Sequence, residues 1–151
     1  MSLMMIKIKY YIAISSLLFS FINVSGADIK WIGGVGEWDV GANWEGGVIP
    51  GPNDIAKLET AGDTVTINEG LNVEIFKIDI FGGAVLKNRG TISAGGSLFP
   101  EIVVFIGTLE NDGSILVTED TTPEFQCISV GRNGIFINKG NILLNLLIQD
   151  L

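Results

Sequence analysis

From Asp28 onward, apolar and polar residues alternate over short runs that glycine, asparagine and aspartate interrupt. Thr64-Val65-Thr66-Ile67 alternates polar and apolar, and Val73 to Ile80 reads in the same way. In the second run Val73, Ile75, Lys77 and Asp79 fall on one face, and Glu74, Phe76, Ile78 and Ile80 on the other. A period of two is that of a β-strand. Ile102 to Ile106 is continuously apolar, which predicts a strand buried on both faces. Ile128, Val130, Ile135, Ile137 and Ile142 extend the same β-rich pattern. No long stretch places apolar residues at i, i+3, i+4 and i+7, so the sequence predicts an all-β protein.

An internal repeat orders these strands. Leu86-Lys87-Asn88-Arg89-Gly90-Thr91-Ile92 is matched by Leu109-Glu110-Asn111-Asp112-Gly113-Ser114-Ile115 and by Phe136-Ile137-Asn138-Lys139-Gly140-Asn141-Ile142. A glycine precedes each copy, at Gly83, Gly107 and Gly134. The asparagines recur with a period in the twenties, and such a period means one supersecondary unit stacked on the next. Units made only of strands stack as a parallel β-helix. Glycine would supply the positive φ of the corners, and asparagine tolerates that region. Asn88, Asn111 and Asn138 are expected to form an amide ladder, each about 4.8 Å from the next. Ile92, Ile115 and Ile142 would point into the shared core.

The segment Asp28 to Pro52 lacks this repeat and holds all three tryptophans, Trp31, Trp38 and Trp44. A solenoid end exposes apolar core and bare strand edges, so this stretch is read as an N-terminal Trp/Gly-rich cap. The expected organisation is a leader over 1–26, a cap over 27–58 and about three coils over 59–151.

The leader follows from the start of the chain. Lys7 and Lys9 precede an uncharged, mostly apolar run from Ile12 to Ile22, and small residues follow at Ser25, Gly26 and Ala27. That is the layout of a secretory signal peptide cut after Gly26 or Ala27. The apolar run falls well short of the ~20 residues a membrane span needs, and no later segment qualifies. Removing Lys7 and Lys9 leaves seven Lys+Arg against 17 Asp+Glu, a net charge of −10. This acidity, without any cationic surface, argues against nucleic acid as a partner. The chain has no histidine, which excludes Ser-His-Asp and Cys-His catalysis and histidine-ligated metal. Its single cysteine, Cys127, cannot form an internal disulfide and reads as a buried, inert thiol.

The string Trp31-Ile-Gly33-Gly34-Val-Gly36-Glu-Trp38, then Asn43-Trp44, Gly47-Val-Ile-Pro50 and Asp54, is followed by the strand Thr64 to Ile67 and the repeats. It resembles the N-terminal region of secreted right-handed β-helix proteins of the autotransporter-passenger and adhesin type, in the pectin-lyase-like superfamily. The resemblance implies an all-β fold, a right-handed parallel β-helix. It covers Trp31 to about Ile142. Proteins of this type run to more coils, so the resemblance also implies a piece of a longer protein. A weaker second resemblance is to glycine-rich β-helical domains of animal and protist surface proteins, which carry Thr-Trp where this chain has Asn43-Trp44.

Candidate sites follow. Trp38 and Trp44 are the candidate carbohydrate-binding residues, because aromatic faces stack on sugar rings; Trp38, flanked by Glu37 and Asp39, is expected to be the most exposed. Glu110, Asp112, Glu119 and Asp120, with Arg132 and Lys139, are the groups a lyase or hydrolase would use. Nothing marks a carboxyl pair set at the separation that glycosidases need, so no catalytic residue is assigned. Calcium could use oxygens at Glu110 to Gly113 or Glu119-Asp120, but neither has the spacing of a defined loop, so no cofactor is assigned. The expected function is a secreted, non-enzymatic surface or extracellular-matrix solenoid, adhesin-like. The alternatives are a polysaccharide lyase or epimerase-like enzyme and a carbohydrate-binding module. Expected partners are extracellular polysaccharide, or a second copy through the leucine- and isoleucine-rich end from Asn141 to Leu151, which no charged or Trp/Gly segment follows.

Overall fold

The computed structural model describes residues 26–95, 101–119 and 128–146. Residues 1–25 of the leader, Cys127, Asp120 and the last five residues lie outside the described residues, as does the side chain of Glu119.

Fourteen described strands wind into a parallel β-solenoid of about four turns. They are β1 (Asp28–Lys30), β2 (Val35–Glu37), β3 (Ile55–Leu58), β4 (Thr64–Ile67), β5 (Asn72–Ile75), β6 (Lys77–Phe81), β7 (Val85–Asn88), β8 (Thr91–Gly95), β9 (Glu101–Phe105), β10 (Thr108–Asn111), β11 (Ser114–Glu119), β12 (Ile128–Val130), β13 (Ile135–Asn138) and β14 (Asn141–Leu146). Sheet 1 runs β1-β3-β6-β9-β12, sheet 2 runs β2-β4-β7-β10-β13, and sheet 3 runs β5-β8-β11-β14. Every strand pair within them is parallel. The asparagine repeat marks only the last three coils. The coil before them carries Ile67 at the asparagine register, since Ile67 pairs with Asn88, and so escapes the motif.

The core is a set of columns. Ala56, Ile78 and Ile102 stack in sheet 1, Val65, Leu86 and Leu109 in sheet 2, and Val73, Ile92 and Ile115 in sheet 3, all buried. Fully burying each branched side chain of these columns contributes about 1.5 to 3 kcal/mol. Two expectations need correction. Val73 to Ile80 is not one strand: Val73 and Ile75 face inward, and so do Ile78 and Ile80, so the alternation slips phase across Phe76, where the chain turns between sheets. Ile102 to Ile106 is not buried on both faces, because a coil has core on one side only: Ile102 and Val104 are buried, while Phe105 and Ile106 are exposed.

The corners also differ from expectation. The left-handed position is two residues before each sheet 2 strand from β4 onward, at Gly62, Gly83, Ile106 and Asn133, with φ of 92°, 92°, 56° and 57°. Gly107 and Gly134 lie one residue later; they are glycines because a Cβ there would strike Ile80 and Val104 of the coil beneath. Gly113 and Gly140 are likewise excluded from carrying a side chain by the backbone of the previous coil, at Gly90 and Gly113. The ladder asparagines are strand residues and not left-handed.

Candidate functional site

The asparagine column is built by register. Asn111 pairs with Asn88 on one side and Asn138 on the other. Asn88 Nδ2 donates to Asn111 Oδ1 at 2.7 Å, and Asn111 Nδ2 donates to Asn138 Oδ1 at 2.7 Å. Each amide also donates to the next strand of the coil above, Asn88 to the Ser114 carbonyl at 3.0 Å and Asn111 to the Asn141 carbonyl at 3.3 Å. Asn88 and Asn111 are buried, so these bonds spare polar groups an unpaired burial of about 1 to 3 kcal/mol each. The column stops where Ile67 begins, and Asn88 Oδ1 has no partner there.

The tryptophans form one cluster. Trp44 meets Trp31 edge-on at 5.0 Å and Trp38 at 4.8 Å between ring centroids. Trp31 Nε1 donates to the Gly34 carbonyl at 2.9 Å, and Trp44 Nε1 to the Trp38 carbonyl at 2.7 Å. Their exposures are 3% for Trp31, 2% for Trp38 and 0% for Trp44. The expectation that Trp38 is the most exposed of the three is therefore corrected. Their faces are spent on each other, and the flanking Glu37 and Asp39 point outward while Trp38 points in. Local chemistry explains the motif. The segment after Trp38 makes two 3-10 turns, Gly41–Asn43 and Glu45–Gly47. It returns antiparallel along Trp31, with Ile32 N–H donating to the Asn43 carbonyl at 2.8 Å. Asn43 Nδ2 donates to the Glu37 carbonyl at 3.1 Å. Its side chain fills the space that a Cβ at Gly33 or Gly36 would occupy.

The charged residues pair mainly between coils. Lys57 Nζ lies 2.7 Å from Asp28, Lys30 3.4 Å from Glu59, Lys87 3.9 Å from Glu110 and Lys139 3.9 Å from Asp112. The hydrogen bond from Lys57 to Asp28 raises the lysine above its ordinary value, against the opposing effect of burial. Glu110 and Asp112, weighed above for catalysis and calcium, thus face lysines of adjacent coils and lie on opposite sides of the laddered Asn111. Arg132 sits in the corner before β13. Among the described residues, no three of His, Cys, Asp and Glu come together, and no helix is long and apolar enough to cross a membrane.

Two acids are buried. Asp79 has a cation beside it, with Lys77 Nζ at 3.0 Å on the same strand. Asp63 escaped the sequence reading. It precedes β4 at the corner, where later coils carry Ala84 and Gly107. Burial pushes its carboxyl above the ordinary value, while bonds from Thr60 pull it down, and Oδ2 has no partner. Its signal was visible only as an aspartate in a Thr-Ala-Gly-Asp turn, a solvated setting in most chains.

No protein-family model, curated protein or solved structure matches this chain, so the parallel β-solenoid stands on its own register and hydrogen bonding.

Proposed function

We propose that the protein is a secreted, non-enzymatic β-solenoid of a cell surface or extracellular matrix, adhesin-like in role, with the Trp/Gly segment acting as its N-terminal cap. The observation that carries this reading is where the functional groups are spent. Four of the five ion pairs among the described residues tie one coil to the next, and the asparagine amides do the same. The polar chemistry thus serves the repeat, as in a scaffold that carries tension or displays other groups. The leader-like segment 1–26 and the net acidity of the rest support export into a salty exterior. Extracellular polysaccharide along the outer faces, or a second copy at the C-terminal end, is the partner this reading expects.

The test is expression of the full chain with a C-terminal tag, followed by fractionation. Tagged protein in the medium or on the cell surface is the expected result. Retention in the cytosol at full length would overturn the export reading. Depolymerisation of any acidic or neutral polysaccharide by the purified protein, lost on Glu110→Gln or Asp112→Asn, would replace the scaffold reading with an enzymatic one.

A further inference from the structure

The start of the first strand is held by one carboxylate. Asp54 ends the turn Gly51-Pro52-Asn53-Asp54, whose backbone closes through Asp54 N–H donating to the Gly51 carbonyl at 3.0 Å. Asp54 Oδ2 accepts from Gly51 N–H at 2.8 Å, which fixes the carboxylate. Its other oxygen, Oδ1, accepts from the nitrogen of Ala27 at 2.8 Å. Ala27 in turn gives its carbonyl to Ile55 N–H at 2.9 Å, one residue before the β1–β3 pairing begins at Asp28 and Ile55. Ala27 thus extends the first rung through both its nitrogen and its oxygen. Gly26 lies against the Asn53 carbonyl, where a Cβ would overlap it.

These contacts separate the two cleavage points that the sequence allows. A cut after Ala27 would discard both of its bonds to the solenoid. A cut after Gly26 keeps both and changes the nitrogen facing Asp54 from an amide into an amine. From this geometry we infer that the mature chain begins at Ala27, produced by hydrolysis of the Gly26–Ala27 bond, and that Asp54 is the binding site for its new α-ammonium. In that hydrolysis, catalysed by an export-pathway signal peptidase, the C–N bond breaks. Water gives its oxygen to the Gly26 carbonyl carbon, forming a carboxylate, and the released nitrogen is protonated. The result is a charge-assisted pair at a position already 2.8 Å from the carboxylate. Gly26 answers two demands at once, the small residue before the cut and the tight approach to Asn53.

The inference rests on the export reading, and its test separates the two. Intact mass and the N-terminal peptide of the exported protein should show a chain starting at Ala27. A start at Asp28 or elsewhere overturns the inference while leaving export standing; an uncut cytosolic chain overturns both. The second measurement is the rate at which an amine-reactive ester labels the α-amine at neutral pH. Asp54→Asn should label several-fold faster than the native protein. One serine inserted between Gly26 and Ala27 should give the same increase, because it moves the ammonium away while Asp54 keeps its bonds to Gly51 and to the Ala27 amide. Tryptophan emission, reporting the adjacent cluster, verifies that each variant is folded. Equal labelling of native protein and the serine insertion would show that Asp54 does not hold the terminus.

Discussion

The two ends of the described solenoid meet the same physical problem differently. At the N-terminal end the inward column positions are Ile29, Trp31 and Trp38, and all are buried. The chain after Trp38 turns back along the free side of the first coil, so Trp31 has β3 on one side and Trp44 on the other. At the C-terminal end the counterparts are more open: Val130, in the column of Trp31, is 46% exposed and Asn138, in the column of Trp38, is exposed, while Ile128, in the column of Ile29, stays partly buried; in sheet 3 Ile142 is 38% exposed. β12, β13 and β14 are the last described members of their sheets. The last described coil repeats the chemistry of the coils beneath it, whereas the first abandons that chemistry for aromatic bulk. Repetition alone propagates a solenoid; the Trp cluster of the first coil lies outside that repetition.

The comparison breaks most visibly at Trp44. Trp44→Ala should cost about 3 to 5 kcal/mol in denaturant unfolding, since it empties the centre of the cluster. A loss under about 1 kcal/mol, the size of an ordinary surface change, would mean that the aromatic end does not support the core. Next comes the ladder, which runs from the middle toward the open end. Asn111→Ala should cost about 1 to 3 kcal/mol, because it removes bonds to both neighbours. Asn138→Ala should cost less than half as much, since that amide is exposed and bonded to one ladder neighbour. Equal losses would show that the open end is as well buried as the interior. Third, sedimentation velocity over a concentration range should detect self-association through the last described coil. Val130→Lys with Ile142→Lys should weaken it at least tenfold; a concentration-independent monomer would mean that another segment covers these residues.

Two smaller effects refine the picture within the coils. Ile106 is a β-branched residue at a left-handed corner where its counterparts are two glycines and an asparagine. Ile106→Asn should stabilise by about 1 kcal/mol, read as a higher thermal midpoint. Asp63 sets a pH dependence. Its folded value is raised, so the folded state binds the proton more tightly than the unfolded chain does. The contribution is fully present below the unfolded value near 3.8 and is lost as pH rises through the folded value. Asp63→Asn should remove that decline and raise stability at neutral pH; an unchanged stability–pH profile would show that Oδ2 is solvated.

Much of the architecture was legible because the solenoid repeats its side-chain chemistry. Asn88, Asn111 and Asn138 share both flanks, and register follows from them. The first coils were harder to read because Ile67 and the Trp38 region occupy the same column without an asparagine. Corner geometry was misassigned for a related reason. A glycine required by a neighbouring backbone and one required by positive φ are identical in a sequence, and Ile106 disguises the true corner. The orientation of Trp38 was misread because its neighbours Glu37 and Asp39 are polar. In a strand those neighbours point the other way, so they predict an inward tryptophan. The inter-coil ion pairs join residues a full coil apart in the chain, which no local pattern encodes.

The three corners of the coil do not share variation equally. Between sheets 2 and 3 the last three coils use two residues each, Arg89-Gly90, Asp112-Gly113 and Lys139-Gly140. Between sheets 1 and 2, from β3 onward, the connections hold five, three, two and four residues. Extra chain therefore falls at that seam while the asparagine side of the last three coils keeps its length. A lineage of such chains can change what it displays along that seam without renegotiating the fold, since each added residue leaves the ladder, the glycine corner and the strand register where they were. One residue inserted between Asn111 and Ser114 would instead turn Ile115 out of the core.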